Sequence, residues 1–363
     1  MDSREKLQNY LDSITDTDLS AWKEAEKYAM GLLKIPMSLG NIEKTAFKLA
    51  SITGKVKNSF TKKCILVMSA DNGVVLKGVS SAPQSVTVTM TECFTKNVTG
   101  VGVIAKVSGA DLIVYDVGIN GDIQDPQVHN RKILRGTSDF SEGPAMSREN
   151  CLDAIFVGIE AVKDAIDQGY QVIGTGEMGI GNTSSSTCVI SVLTDTPVEE
   201  IVGKGTGMTN EQEFENKINI LKKAIEINNP DPDDVIDVIA KVGGLDIAAL
   251  TGVYIGCAYY RIPVVIDGYI SSAAALCAYL LNRKTYDFMF ESHYTAEPGY
   301  SSILKIMPLD APFRMNMRLG EGSGCPLEFF VMDCANAMMN NMYTFEEGMI
   351  STEYSSKVSD LEF

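Results

Sequence analysis

Four short runs constrain the fold more than any other feature of the chain: CILVMSAD (64–71), ADLIVYDVG (110–118), YQVIGTG (170–176) and IPVVIDG (262–268). Each is short, apolar and rich in β-branched residues, and each gives way to Gly, Asp or Thr at its end. A strand wet on one face alternates polar with apolar residues, whereas a near-continuous apolar strand is covered on both. Helical stretches such as RENCLDAIFVGIEAVKDAID (148–167) and SSAAALCAYLLN (271–282) lie between the runs. Strands of this kind separated by helices predict an α/β fold with a parallel sheet. Upstream, LSAWKEAEKYAMGLLK (19–34) and NIEKTAFKLASITGKV (41–56) carry apolar residues at helical spacing, with a Pro36-to-Gly40 break between them. The final STEYSSKVSDLEF (351–363) reads as a polar tail.

Charge and composition exclude several classes of function. The 363 residues carry 31 Lys+Arg against 47 Asp+Glu, a formal charge of −16 that repels nucleic acid and anionic membranes. No apolar run reaches the roughly 18 residues that span a bilayer. The opening MDSREKLQNYLDS is too polar for a secretory signal, so a soluble cytoplasmic protein is expected. The eight cysteines are scattered without CxxC spacing and read as reduced, mostly apolar side chains. His129 and His293, the two histidines, have no ligand-spaced neighbour, so a His-based zinc site or a Ser/His/Asp triad has little material. Both read as surface or core residues.

Ligands of parallel α/β sheets bind beyond the carboxyl ends of the strands, which singles out the residues just after each run. In ADNGVVLKGVSSAPQSVT (70–87), Asp71, Asn72, Ser80, Ser81 and Gln84 can orient an uncharged ligand or serve as ordinary turn residues. In GTGEMGIGNTSSSTCVISVL (174–193), glycines alternate with other residues before a hydroxyl-rich helix start. Backbone N–H groups exposed there, at the positive end of a helix, suit a phosphate; a tight strand-to-helix connection with a Ser/Thr cap accounts for the same residues. IVGKGTGMTNEQEFENK (201–217) begins like a strand and adds a second glycine–hydroxyl loop with Lys204 inside and Lys217 beyond. Either lysine serves an anion site or a solvated surface. No GK[ST] or dinucleotide fingerprint with its ribose-binding acid is present, which disfavours an oxidoreductase. Lastly, RLGEGSG (318–324) sets one carboxylate, Glu321, between glycines. It is either a base open to a ligand or a helix-start acid facing a dipole.

In order along the chain, GEMGIGNT, VGKGTG, GGLDIAAL, IDGYISSAAAL, AEPG and MRLGEG resemble the nicotinate-nucleotide:dimethylbenzimidazole phosphoribosyltransferase family of cobamide lower-ligand synthesis, over about residues 40–340. The resemblance implies transfer of phosphoribose from nicotinate mononucleotide to an aromatic acceptor, with no metal or organic cofactor. It implies a Rossmann-like large domain (61–324) and a small helical domain assembled from residues 1–60 and 325–363. It also implies a dimer, of identical or paralogous subunits, with active sites near the interface. Glu321 matches the family's catalytic base, and Glu177 a carboxylate beside the reacting ribose. Gly179, Gly181, Asn182, Thr183, Gly203, Gly205 and Thr206 match donor phosphate and ribose contacts, with Lys217 joining them if one extra residue is allowed. Arg318 and Thr295 match the acceptor and nicotinate end, and Ser80 and Gln84 the acceptor loop.

The chain departs from that pattern at the acceptor end. Asn72 stands where DHG is usual, Ser85 where an acid follows PQ, and the helix after GEGSG begins with the bulky Cys325-Pro326-Leu327-Glu328-Phe329-Phe330. A pocket narrowed by those aromatics would suit a single ring, as in the related branch whose paired, non-identical subunits activate phenol or p-cresol. The competing expectation is a weakly active or non-catalytic partner subunit of a heteromeric enzyme.

Overall fold

The computed structural model describes residues 2–205, 207 and 209–350. The polar tail 351–363 and Thr206 lie outside them. Six parallel strands form one sheet: β1 (Lys63–Ala70), β2 (Ala110–Gly118), β3 (His129–Asn130), β4 (Val172–Met178), β5 (Val264–Ile266) and β6 (Met289–Glu291). Their spatial order is β3-β2-β1-β4-β5-β6, the Rossmann-like arrangement, with Lys63 of β1 paired to Ala110 on one side and Val172 on the other. Every residue of β1 and β4 is buried, as expected of central strands covered on both faces. The strand order reverses between β1 and β4, so a crevice opens where Ala70 and Met178 end.

The four anticipated runs become β1, β2, β4 and β5. IVG of 201–203 does not form a strand; Ile201 closes the short helix Val198–Ile201 and the chain then turns into the glycine loop. β3 and β6 were not anticipated. They hold two and three residues, too few to carry a periodic signal.

The helix Leu245–Tyr260 packs on β1, β2 and β4 and crosses the helix Arg148–Asp167 at close range. A Cβ on Gly252 would stand 1.9 Å from the Ile155 carbonyl oxygen, and one on Gly158 1.9 Å from that of Ala249. Only glycine at both positions allows this approach.

A second, smaller apolar cluster joins the two chain ends: Ala25, Ala29, Leu32, Ala46, Phe47 and Ala50 meet Ala335, Met338 and Met339. The segment 1–60 does not belong to it as a unit. Leu7, Leu11, Ile14, Leu49 and Ile52 pack into the main core, and the helix Ser3–Asp12 lies on Arg148–Asp167. The helix Cys325–Asn341 likewise gives Cys325, Phe329 and Met332 to the main core and its later residues to the smaller cluster. No described helix is long and apolar enough to cross a membrane.

Candidate active site

The site is built around the loop that carries Glu321. Gly320, Glu321 and Gly322 have φ of +82°, +63° and +94° in succession. Left-handed conformations cost a side chain about 1–3 kcal/mol, and the structure must hold such a residue in place. Carboxylates beneath the loop do so. The Glu321 backbone N–H donates to Glu177 Oε1 at 3.2 Å, while those of Gly322 and Gly324 donate to Asp267 Oδ2 at 2.9 Å and Oδ1 at 2.6 Å. Glycine is also required by packing. A Cβ on Gly322 would stand 2.6 Å from Ile65 Cγ2, and one on Gly320 2.3 Å from Glu177 Oε1. The glycines therefore seat the loop against the later residues of β4 and the Ile65 side chain of β1.

The Glu321 side chain is buried, 7 % exposed, and its Oε2 accepts the Val101 N–H at 3.1 Å. Val101 lies in the first turn of the helix Gly100–Ser108, whose positive end faces the carboxylate. Burial raises the Glu321 pKa and the hydrogen bond opposes it; burial is the larger effect. The result is a held carboxylate whose basicity exceeds that of a free glutamate, suited to taking a proton.

Three further carboxyls lie close by. Burial pushes Glu177 up to about 8, with Asp246 adding repulsion, and pushes Asp246 and Asp267 each to about 7. The Asn182 amide nitrogen donates to both Glu177 Oε2 and Asp246 Oδ2, the latter at 3.1 Å, and so ties the β4 end to the start of the helix Leu245–Tyr260. Together they set three acidic groups that hold protons far more readily than free carboxyls around the acidic end of the cleft.

At the other end the charge is positive. Lys217, nearly fully buried on the helix Glu211–Asn228, directs its ammonium to the Gly203 carbonyl at 3.1 Å and to Thr183 Oγ1 at 3.3 Å. Burial lowers its pKa to about 8, with Glu297 opposing. The N-terminus of the helix Asn182–Thr194 and the glycine loop at 203–207 thus meet at one lysine, an arrangement fit for an anion.

Both ends open into one cleft of about 600 Å³. An adjoining pocket of about 590 Å³ reaches along Gly203, Lys204, Gly207 and Phe214 and shares Gly205, Glu297 and Arg318 with the cleft. Ala82, Val86, Met90, Met178, Ile180 and Leu319 supply the apolar part of the cleft lining. Among the described residues no cluster of three His, Cys, Asp or Glu side chains is arranged for a metal ion.

Comparison with known proteins decides what such a cleft belongs to. Residues 14–350 match the sequence profile of a family described as Phosphoribosyltransferase. The chain is 48% identical over 356 residues, 98% of either chain, to a Clostridium perfringens protein named nicotinate-nucleotide–dimethylbenzimidazole phosphoribosyltransferase. A Clostridium tetani protein of the same name is 46% identical over 344 residues, covering 95% of each chain. The crystal structure of a Thermus thermophilus protein so named superposes with a TM-score of 0.86 at 32% identity, over 92% of this chain and 99% of that one. The chain belongs to the phosphoribosyltransferase family.

As a phosphoribosyltransferase the chain is a pentosyl-transferring enzyme, and the positions of its anticipated site residues gain meaning. Glu177, Gly179, Asn182, Thr183, Gly205, Thr295, Arg318 and Glu321 all line the cleft. Gly203 lines the adjoining pocket, and Lys217 stands behind it. Gly181 is the left-handed residue that starts the helix Asn182–Thr194 and is not in the lining. Ser80 and Gln84 are not in the lining either. The Ser80 hydroxyl accepts the Ala82 N–H at 3.3 Å, and Gln84 Oε1 accepts the Asn120 amide at 3.1 Å, so both shape the loop that presents Ala82. Arg318 faces the adjoining pocket as well as the cleft, which places it nearer the Gly203 loop than the sequence suggested.

Two expectations change. The bulky start of the helix Cys325–Asn341 does not narrow the cleft: Phe329 is buried in the core, Phe330 is 66% exposed, and neither lines the cleft. His293 does line it, buried, with its pKa lowered to about 4 by burial, so it is neutral at physiological pH. Asp246 of GGLDIAAL, Asp267 of IDGYISSAAAL and Glu297 of AEPG join the site unanticipated. Asp267 carried the usable signal, since it directly follows β5.

Proposed function

We propose that this enzyme transfers phosphoribose from nicotinate mononucleotide to dimethylbenzimidazole, releasing nicotinate and an α-ribotide for cobamide synthesis. The observation that carries the reading is the polarity of one cleft, with the Lys217 ammonium behind one end and the Glu321 carboxyl, beside Glu177, at the other. Such polarity orients an anionic phosphate toward one end and the reacting ribose carbon toward the other. Both clostridial relatives bear the corresponding name.

The chemistry needs one base. The donor's glycosidic nitrogen is a cationic pyridinium, so when the C–N bond breaks its electron pair returns to the ring and nicotinate leaves without a proton. The acceptor's lone pair forms the new bond to ribose C1, and the acceptor ring N–H then gives its proton to Glu321. Glu177 in its ionised form stabilises positive charge developing on the ribose, and with its pKa raised to about 8 that form grows as pH rises. Gly179, Asn182, Thr183, Gly203, Gly205, Thr206 and Lys217 hold donor phosphate and ribose, with Gly181 setting the helix start. Thr295 serves the nicotinate end, Arg318 reaches from that end toward the Gly203 loop, and Ser80 and Gln84 position the acceptor loop. A fused bicyclic acceptor is favoured over a phenol because Phe329 and Phe330 leave the cleft open.

The chain pairs with a second copy of itself in this reading, and it works in the cytoplasm. Val103 and Val107 are exposed four residues apart on the helix that holds Glu321, and exposed Phe330 lies on the helix packed against it. Those apolar side chains support an interface beside the site.

The test is nicotinate release from nicotinate mononucleotide by the purified chain, with dimethylbenzimidazole, phenol or p-cresol supplied separately. Release with dimethylbenzimidazole is expected. Release with a phenol alone would move the chain to the phenol-activating branch, and no release with any acceptor would defeat the reading in favour of a partner subunit.

A further inference from the structure

The cationic end of the cleft contains one charge of the wrong sign. Glu297 lines both the cleft and the adjoining pocket. Its Oε2 is buried without a hydrogen-bond partner and lies against the glycine loop, where a Cβ on Gly203 would stand 1.7 Å from it. That is the same loop whose carbonyl holds Lys217. An ionised carboxylate here repels the phosphate that the loop, the lysine and the helix N-terminus are arranged to attract. A protonated carboxyl has the opposite effect, because it becomes a donor.

We propose that Glu297 carries a proton in the donor-bound enzyme and donates it as a hydrogen bond to a phosphate oxygen of the donor, so that donor binding takes up a proton. The inference rests on the proposed donor site. Burial raises the Glu297 pKa, with Lys217 and Arg318 opposing, so the proton is gained at less cost than on a free glutamate. The groups facing it are Lys217 from the helix Glu211–Asn228, Arg318 from the segment before Glu321 and the Tyr269 phenol, while Lys204 lines the same pocket over the Phe214 ring. Burial pushes the Tyr269 phenol up, so it stays neutral at physiological pH. A phosphate monoester loses its second proton near pH 6, so at neutral pH the donor arrives as a dianion and the shared proton comes from solvent. Lys217, with its pKa near 8, is already mostly charged at pH 7 and adds little to the uptake.

Isothermal titration at pH 7 in two buffers of different ionisation enthalpy measures that uptake directly. Nicotinate mononucleotide, ribose 5-phosphate and nicotinate are the titrants. Wild type is expected to take up more than roughly half a proton with the two phosphate esters and almost none with nicotinate. Glu297→Gln, which donates without titrating, is expected to bind nicotinate mononucleotide at least as tightly at pH 8 with that uptake lost. Zero uptake by wild type, equal uptake in the variant, or uptake with nicotinate alone would each overturn the inference. If Glu297→Gln fails to fold, zero uptake by wild type still overturns the inference. Glu177→Gln, expected to keep the uptake, then separates Glu297 from the other proton-holding carboxyls, and loss of uptake in that variant overturns the inference as well. Nicotinate mononucleotide binding without uptake defeats this inference alone, whereas no binding of either ester defeats the donor site as well.

Discussion

At one end of the cleft Lys217 gathers two glycine-bearing loops around a buried ammonium; at the other, Glu177 and Asp267 pull the 320–324 loop down onto buried carboxyls. The cationic end sets an ammonium, held by the Gly203 carbonyl, beside hydroxyls and a helix start, whose donors solvate an anion. The acidic end invests in precision instead: three successive left-handed residues fix a single carboxylate against the positive end of another helix. The difference separates binding from chemistry. Substitutions at the first should weaken donor capture, and those at the second should impair turnover or folding.

The largest effect should come from forcing a side chain into the acidic end. Gly322→Ala meets both the left-handed strain and Ile65, and should destabilise the protein by about 3–5 kcal/mol. Thermal unfolding checks it, and an unchanged midpoint would mean the loop is less constrained than its backbone suggests. Next, Lys217→Met removes the cation while keeping most of the volume. Loss of a charge-assisted contact is worth about 1.5–3 kcal/mol, so the KM for nicotinate mononucleotide should rise roughly 10- to 100-fold. A drop in kcat alone would erase the proposed division between the two ends.

The last effect, comparable in size to the second, concerns pH. Glu177, Asp246 and Asp267 are raised above the ordinary carboxyl range to about 8, 7 and 7, so between pH 4 and 8 the folded state holds protons that the unfolded state has released. Their contribution to stability is complete below the unfolded pKa and is lost as pH rises through the folded values. Stability should therefore fall from pH 5 to pH 8. Glu177→Gln should shrink that fall by about 2–3 kcal/mol, measured by denaturant unfolding at the two pH values. An identical fall in the variant would place the buried protons elsewhere.

The same contrast explains what the sequence made legible. β1, β2, β4 and β5 stand out because burial on both faces leaves uninterrupted apolar runs, while β3 and β6 exist only through neighbours that hold them. The Gly179–Thr183 and Gly203–Gly205 segments announce themselves because an anion cradle draws its glycines and hydroxyls from contiguous stretches. The support of Glu321 does not: Val101 is 220 residues away in sequence, and Glu177 is 144. The glycines flanking Glu321 suggested room for an aromatic ring, whereas folding uses them to turn the loop and seat it on the sheet. Ile201-Val202 resembled a strand because two buried β-branched residues look alike at a helix end and in a sheet.

The most direct measurement is the rate of nicotinate release by Glu321→Gln with nicotinate mononucleotide and dimethylbenzimidazole, beside its KM for the donor. Glutamine keeps the shape and can still accept the Val101 N–H, but it takes no proton. Turnover should fall by roughly 10²- to 10⁴-fold with the donor KM nearly unchanged. Turnover equal to wild type would show that the acceptor's proton leaves by another route and that Glu321 is not the base.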